Sequence, residues 1–177
     1  MTTIAPISAA AVANEFLDLQ SGDVGYPPID QMKIQKLVFY AQAWHLGLKD
    51  SPLFDDDVFA WPWGPVVPAI YHEFKEFGRK PIVGKKASSI IKTGPAYLDW
   101  RFATPKVDKA DTKVFLKQVW DVHKKYTGIQ LSNATHNPGE PWTVIKDQYG
   151  DLDSKPVIPL ELIASIFAQK AGRVKPA

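Results

Sequence analysis

Residues 58–71 read VFAWPWGPVVPAIY, and no other stretch restricts the fold as much. Two tryptophans flank a proline, and Gly-Pro-Val-Val-Pro then leads straight into a helical run, so the chain must turn here before it coils. Trp61, Trp63 and Tyr71 are expensive to leave idle on a surface, which makes them core or contact residues. The stretch holds no good nucleophile, and the first metal ligand, His72, comes just after it. It reads as shape and not as chemistry, pointing to a binding protein over an enzyme.

A chain of 177 residues suits one domain, and 45 % hydrophobic with 23 % charged residues is an ordinary globular composition. A single domain over 1–177 is therefore expected, with its core at about 8–169 and a frayed tail over 170–177. The absence of cysteine removes disulfides, thiolate zinc sites and cysteine nucleophiles, and it fits a reducing cytosol. The first residues carry no Lys or Arg before their apolar part, unlike a signal peptide. No stretch approaches the ~18 apolar residues of a membrane span. A cytoplasmic protein with no membrane partner is expected.

The net charge of +2 is unevenly spread. Residues 78–125 hold 12 Lys/Arg against 4 Asp/Glu, whereas the rest of the chain holds 9 against 15. Such a division can steer an acidic partner or a nucleic acid. It is equally what a solvated helix face beside a lysine-rich loop would show.

The pattern predicts a mainly α, compact single-domain bundle of six or seven helices with one or two short strands or extended arms. Ser8 caps a first helix to Leu19, and Asp30 caps a second to about Leu46, with Gly47 as its stop. The second helix is apolar nearly all round and so belongs at the centre. Residues 52–63 read as a strand or extended arm. Gly64 turns the chain, and Pro65 opens a third helix over 66–77. Residues 79–106 read as irregular with one short helix, the segment best suited to movement. A fourth helix from Asp108 or Asp111 to about Thr127 buries Phe115, Val119, Val122 and Tyr126, widened by Leu116 and Trp120, and Gly128 closes it. A turn at 132–136, a helix from Pro141 to Tyr149 and a last helix after Pro159 complete the chain.

Catalytic, cofactor and metal residues are not evident. His45, His72, His123 and His136 form neither HxxxH nor HExxH, and no phosphate-cradling glycine loop occurs. Each histidine reads as a partly buried helix residue bonded to a carbonyl. Ser132 and His136 lie four apart, but no elbow or third group supports a hydrolase; Ser132 reads as a cap. Tyr97, Trp100 and Phe102 interleave with lysines in a way that would suit base stacking, yet no helix-turn-helix is present. Asp55, Asp56 and Asp57 form a solvated acidic run or a contact for a basic partner.

The blocks MKIQKLVFYAQAWHL, PLFDDDVFAWPWGPVVPAIYHEF and LSNATHNPGEPW, in that order, resemble the SocA-like antitoxins, also called Panacea-domain or phage-associated GepA-like proteins. The set spans roughly residues 32–142. The resemblance implies a small helical antitoxin encoded beside the gene of a cognate protein toxin. The family pairs with many unrelated toxins, and one branch is a proteolytic adaptor that hands its toxin to the ClpXP protease. Direct binding is the first expectation, the adaptor the alternative, and a nucleic-acid binder or a hydrolase using His136 rank below. The block residues carried over are Lys36, Leu37, Tyr40, Trp44, Gly64, Pro65, Val66, Tyr71, Thr135, His136, Pro141 and Trp142. Most have evident backbone or packing duties; Lys36 and His136 do not. Partner contacts are expected at Asp55, Asp56, Asp57, Trp61, Trp63, Lys80, Lys85, Lys86, Lys92 and His136, with specificity carried by 79–106 and by charge complementarity.

Overall fold

The computed structural model describes residues 7–96 and 99–173, so Tyr97 and the tail beyond residue 173 lie outside it. The described residues form seven α-helices and two small antiparallel hairpins. Helix α1 spans Ala9–Ser21 and α2 spans Gln31–Lys49. Strands β1 (Phe59–Trp61) and β2 (Gly64–Val66) precede α3 (Pro68–Phe74), which tightens into a 3-10 turn at Lys75–Phe77. Strands β3 (Ser89–Lys92) and β4 (Trp100–Ala103) make the second hairpin. Helices α4 (Ala110–His123), α5 (Gly128–Thr135), α6 (Pro141–Tyr149) and α7 (Leu160–Lys170) follow. No helix among the described residues is long and apolar enough to cross a membrane.

Helix α2 is the centre, as its all-round apolarity requires. It packs against α1, α3, α4, α5, α7 and β2. Its ends follow local rules: Asp30 accepts the Lys33 N–H at 2.7 Å, and Asp50 closes the helix in the left-handed region. Gly47 does not stop it. A Cβ at Gly47 would stand 2.7 Å from the backbone carbon of Phe167, so the glycine lets α7 press onto α2.

Four polar residues of α2, Lys33, Gln35, Lys36 and Gln42, are buried too, and each pins a passing backbone. Lys33 donates to the carbonyls of Pro27 and Lys124 at 2.6 and 2.8 Å. The Gln42 amide brackets Leu53 and Phe54. Gln35 accepts the Val67 N–H at 2.9 Å and donates to the Val67 carbonyl, and Lys36 donates to the Pro65 carbonyl at 3.1 Å. These bonds satisfy groups that burial would otherwise orphan.

Those last bonds explain where the third helix begins. Pro65 lies in β2, paired opposite Ala60, and not in a helix. Gln35 keeps Val67 extended, and Pro68 takes the first helical position instead, where a missing N–H is harmless. Gly64 has φ +107, and a Cβ there would meet Lys36 Nζ at 2.8 Å and Thr135 Oγ1 at 2.9 Å. The other edge of β1 is covered by residues 156–158, through Ala60 N–H to Pro156 O and Ile158 N–H to Val58 O, both 2.8 Å.

Four further expectations change. The described residues of 79–106 contain the β3–β4 hairpin and no helix; Ile90 opposite Phe102 and Ile91 opposite Arg101 supply strand-forming pairs. Helix α4 buries Leu116, Val119 and Trp120 as expected and His123 besides, but Val122 and Tyr126 are exposed, so the buried face centres on the Leu116–Trp120 side. Gly128 opens α5 and does not close α4. A Cβ there would come within 2.7 Å of Asp30 Oδ1 and Lys33 N, so the starts of α2 and α5 touch. Thr127, in a capping box with Gln130, caps α5, the role Ser132 was expected to play one turn later.

Candidate functional site

The β1–β2 turn, Pro62-Trp63, overhangs a recess of about 460 Å³. Gln31, Met32 and Lys36 from α2, Trp61, Trp63 and Val66 from the hairpin, and Tyr71 from α3 line it, with Arg79 and residues 127–129 at its edge. Trp61 and Tyr71 pack ring to ring at 4.9 Å, and Lys155 Nζ sits 4.4 Å over the same Trp61 ring. Trp63 is 72 % exposed, although its carbonyl is held by the Ser132 hydroxyl at 2.8 Å. A rigid turn thus presents a large ring to solvent beside an apolar hollow.

Two polar atoms of this wall, Gln31 Oε1 and Trp61 Nε1, are buried without a hydrogen-bond partner. Behind it, Trp142 donates its indole N–H to the Trp61 carbonyl at 2.7 Å, and His136 packs its ring on Trp142 at 3.9 Å. His136 Nε2 is buried and unpartnered, unlike His45 and His123, whose Nδ1 atoms meet the Ser51 and Val119 carbonyls at 2.7 Å. Burial, reinforced by the charge of Lys36, lowers the His136 pKa. Burial pulls the Lys36 ammonium down to about 7, because its one carbonyl acceptor replaces little of the lost hydration.

The residues expected at a partner contact are dispersed. Trp61 and Trp63 line the recess, together with the motif residues Lys36 and Tyr71. Asp56 accepts the first amide of α1, Ala9 N–H, at 3.1 Å. Asp55 and Asp57 are exposed without an ion pair among the described residues. Lys80 is exposed beside Arg79. Lys85 pairs with Glu76 at 2.6 Å, Lys86 with Asp18 at 2.5 Å, and Lys92 stands in β3. Tyr40 stacks on His123 at 4.5 Å and Trp44 meets Phe167 edge-on at 5.0 Å, both away from the recess. Thr135 donates to the Ser132 carbonyl at 2.7 Å. The hydroxyl of Ser132 therefore serves Trp63 and not His136. Among the described residues no group of three His, Asp or Glu is placed to hold a metal ion.

Gln31, Met32 and Arg79 were not anticipated as lining. Gln31 and Met32 are placed by the Asp30 cap, the one signal that could have located the start of α2 at the recess.

Fold and recess define a small helical scaffold that presents an aromatic hairpin over an apolar hollow. The chain belongs to the family described as "Antitoxin SocA-like, Panacea domain", which matches residues 34–143. It is 30 % identical to Antitoxin SocA of Caulobacter vibrioides (strain NA1000 / CB15N) over 145 residues, covering 81 % of this chain and 73 % of that protein. No solved structure matches the chain significantly.

Proposed function

We propose that this protein is an antitoxin that neutralises a cognate protein toxin by binding it directly, with the Trp61–Trp63 hairpin and its recess as the anchor. One observation carries the reading: Trp63, 72 % exposed, stands on a turn fixed by Ser132 and by the Lys36 and Gln35 bonds beneath it. Tryptophan held rigidly at a surface concentrates binding energy, since little freedom is lost on docking. Family membership supports the antitoxin role, and the name of the Caulobacter relative agrees with it. The exposed carboxylates Asp55 and Asp57 and the lysines of 80–92, away from the recess, add charge selectivity to the contact.

The test is growth rescue by the chain against the product of the adjacent gene, in hosts with and without ClpXP. Direct neutralisation persists without the protease. Rescue that vanishes with the protease assigns the chain to the adaptor mode. Trp63→Ala should abolish rescue while leaving the melting temperature nearly unchanged, because an exposed side chain contributes little to folding. Rescue untouched by Trp63→Ala would remove the recess from the contact. Charge reversal at Asp55 and Asp57, or across Lys80–Lys92, should weaken rescue without unfolding the chain.

A further inference from the structure

The recess beneath the Trp63 turn is a hollow that the chain does not fill for itself. Its volume of about 460 Å³ lies within the range, roughly 300–1,000 Å³, of cavities that enclose an inserted group. Trp63 and Ile129 both line it and are 72 % and 60 % exposed, so its apolar wall runs out onto the surface. Met32, Val66 and Tyr71 continue that wall. Its parts are held by rigid elements. Ile129 is the second residue of α5, and Gly128 before it lies against the start of α2. Trp63 is fixed through its carbonyl by Ser132.

The charge left over at this hollow is positive. Asp30 is the one acid lining it among the described residues, and its Oδ1 is taken by the Lys33 N–H at 2.7 Å as the cap of α2. The acids that lead up to its edge are spent as well: Glu73 and Glu76 lie 3.9 and 2.6 Å from the Lys85 ammonium. Arg79, two residues past the 3-10 turn, lines the recess, is exposed and makes no ion pair among the described residues. Lys36, which also lines it, donates to the Pro65 carbonyl and meets no carboxylate among the described residues. A guanidinium grips a carboxylate with two parallel hydrogen bonds. An apolar hollow with an unanswered guanidinium at its edge therefore suits an apolar group that has a carboxylate beside it.

We infer that the recess receives an apolar side chain of the toxin, and that a carboxylate next to that side chain is gripped by Arg79. The inference rests on the antitoxin reading and adds to it the chemistry of the group that the toxin inserts. Charge selects this occupant over a second copy of the chain, because a two-fold contact through this face would set its positive edge against itself.

The test titrates the full chain against the purified product of the adjacent gene. Ile129→Asp places a carboxylate in the wall at an exposed position in the first turn of α5, where an acid is favourable for the helix, so the fold is kept. It should weaken binding at least about ten-fold. Arg79→Glu should weaken it to a similar degree, with a loss that shrinks as salt is raised. Unchanged affinity in Ile129→Asp, with Trp63→Ala impaired, means that nothing enters the hollow; it overturns the inference and leaves the antitoxin reading standing. Binding by Arg79→Glu as tight as wild type, or tighter, overturns the carboxylate. Self-association of the free chain that Ile129→Asp abolishes assigns the recess to a second copy and overturns the inference. A wild-type chain that does not bind the product at all removes both readings together.

Discussion

Replacing Lys36 with methionine should abolish most of the gain in stability that the wild-type protein shows between pH 7 and pH 9. Lys36 is 1 % exposed, and burial lowers its ammonium pKa from 10.5 to about 7. The folded state therefore releases this proton near neutrality, whereas the unfolded chain keeps it until about pH 10.5. Between those values the unfolded state holds more protons, so stability rises with pH. The excess is about half a proton at pH 7 and nearly one at pH 9. At about 1.4 kcal/mol per proton per pH unit, Lys36 contributes a rise of roughly 2 kcal/mol over that interval. Lys33, lowered to about 8 by burial against the opposing charge of Asp30, adds a rise of the same sign that is common to both proteins and cancels in their difference. The assay is urea denaturation of wild type and Lys36→Met at half-unit pH steps. The difference between the two should change by roughly 2 kcal/mol from pH 7 to pH 9. A constant difference would refute the argument, because it would mean that Lys36 titrates alike in the folded and unfolded chains. In the variant, the His136 pKa read by NMR should rise, since Lys36 is the second cause of its depression after burial.

Gly47→Ala should destabilise the protein by about 1–3 kcal/mol by denaturant titration, although alanine is the better helix former; the added Cβ would press on Phe167 at 2.7 Å. Asn14→Ala leaves the Ala87 N–H and the Ala87 and Pro105 carbonyls without their partner, so roughly 2 kcal/mol or more should be lost, with amide exchange over 87–105 accelerating first. Ser132→Ala should cost about 1 kcal/mol for the lost bond to the Trp63 carbonyl and weaken growth rescue by loosening the turn that holds Trp63; full rescue at reduced stability would mean that this bond does not fix the anchor.

What could be read from the sequence was local. Ser8, Asp30 and Pro141 mark helix starts because a cap or a fixed φ acts within one turn, and each helix begins where they place it. Gly47, Gly128 and Pro65 misled because their reasons are tertiary. The first two admit Phe167 and the start of α2, and the third is held in a strand beneath Gln35 and Lys36. Asn14, Lys33 and Lys36 gave no sign of burial, since a polar residue on a helix ordinarily faces water. The β3–β4 hairpin was hidden because its strands are short and its apolar residues do not alternate with a buried face. At the recess, Trp61, Trp63 and Tyr71 were legible from their size and the prolines around them. Gln31, Met32 and Arg79 were not, because they arrive there through packing of other elements.

The role proposed for the tryptophan hairpin is to seize another polypeptide. Its most direct test is calorimetric titration of the purified chain, wild type and Trp63→Ala, into the adjacent gene's product. Saturable binding by wild type that falls at least about ten-fold in the variant is the expected result. Equal affinity for both chains, or growth rescue by a chain that binds nothing in the calorimeter, would contradict it.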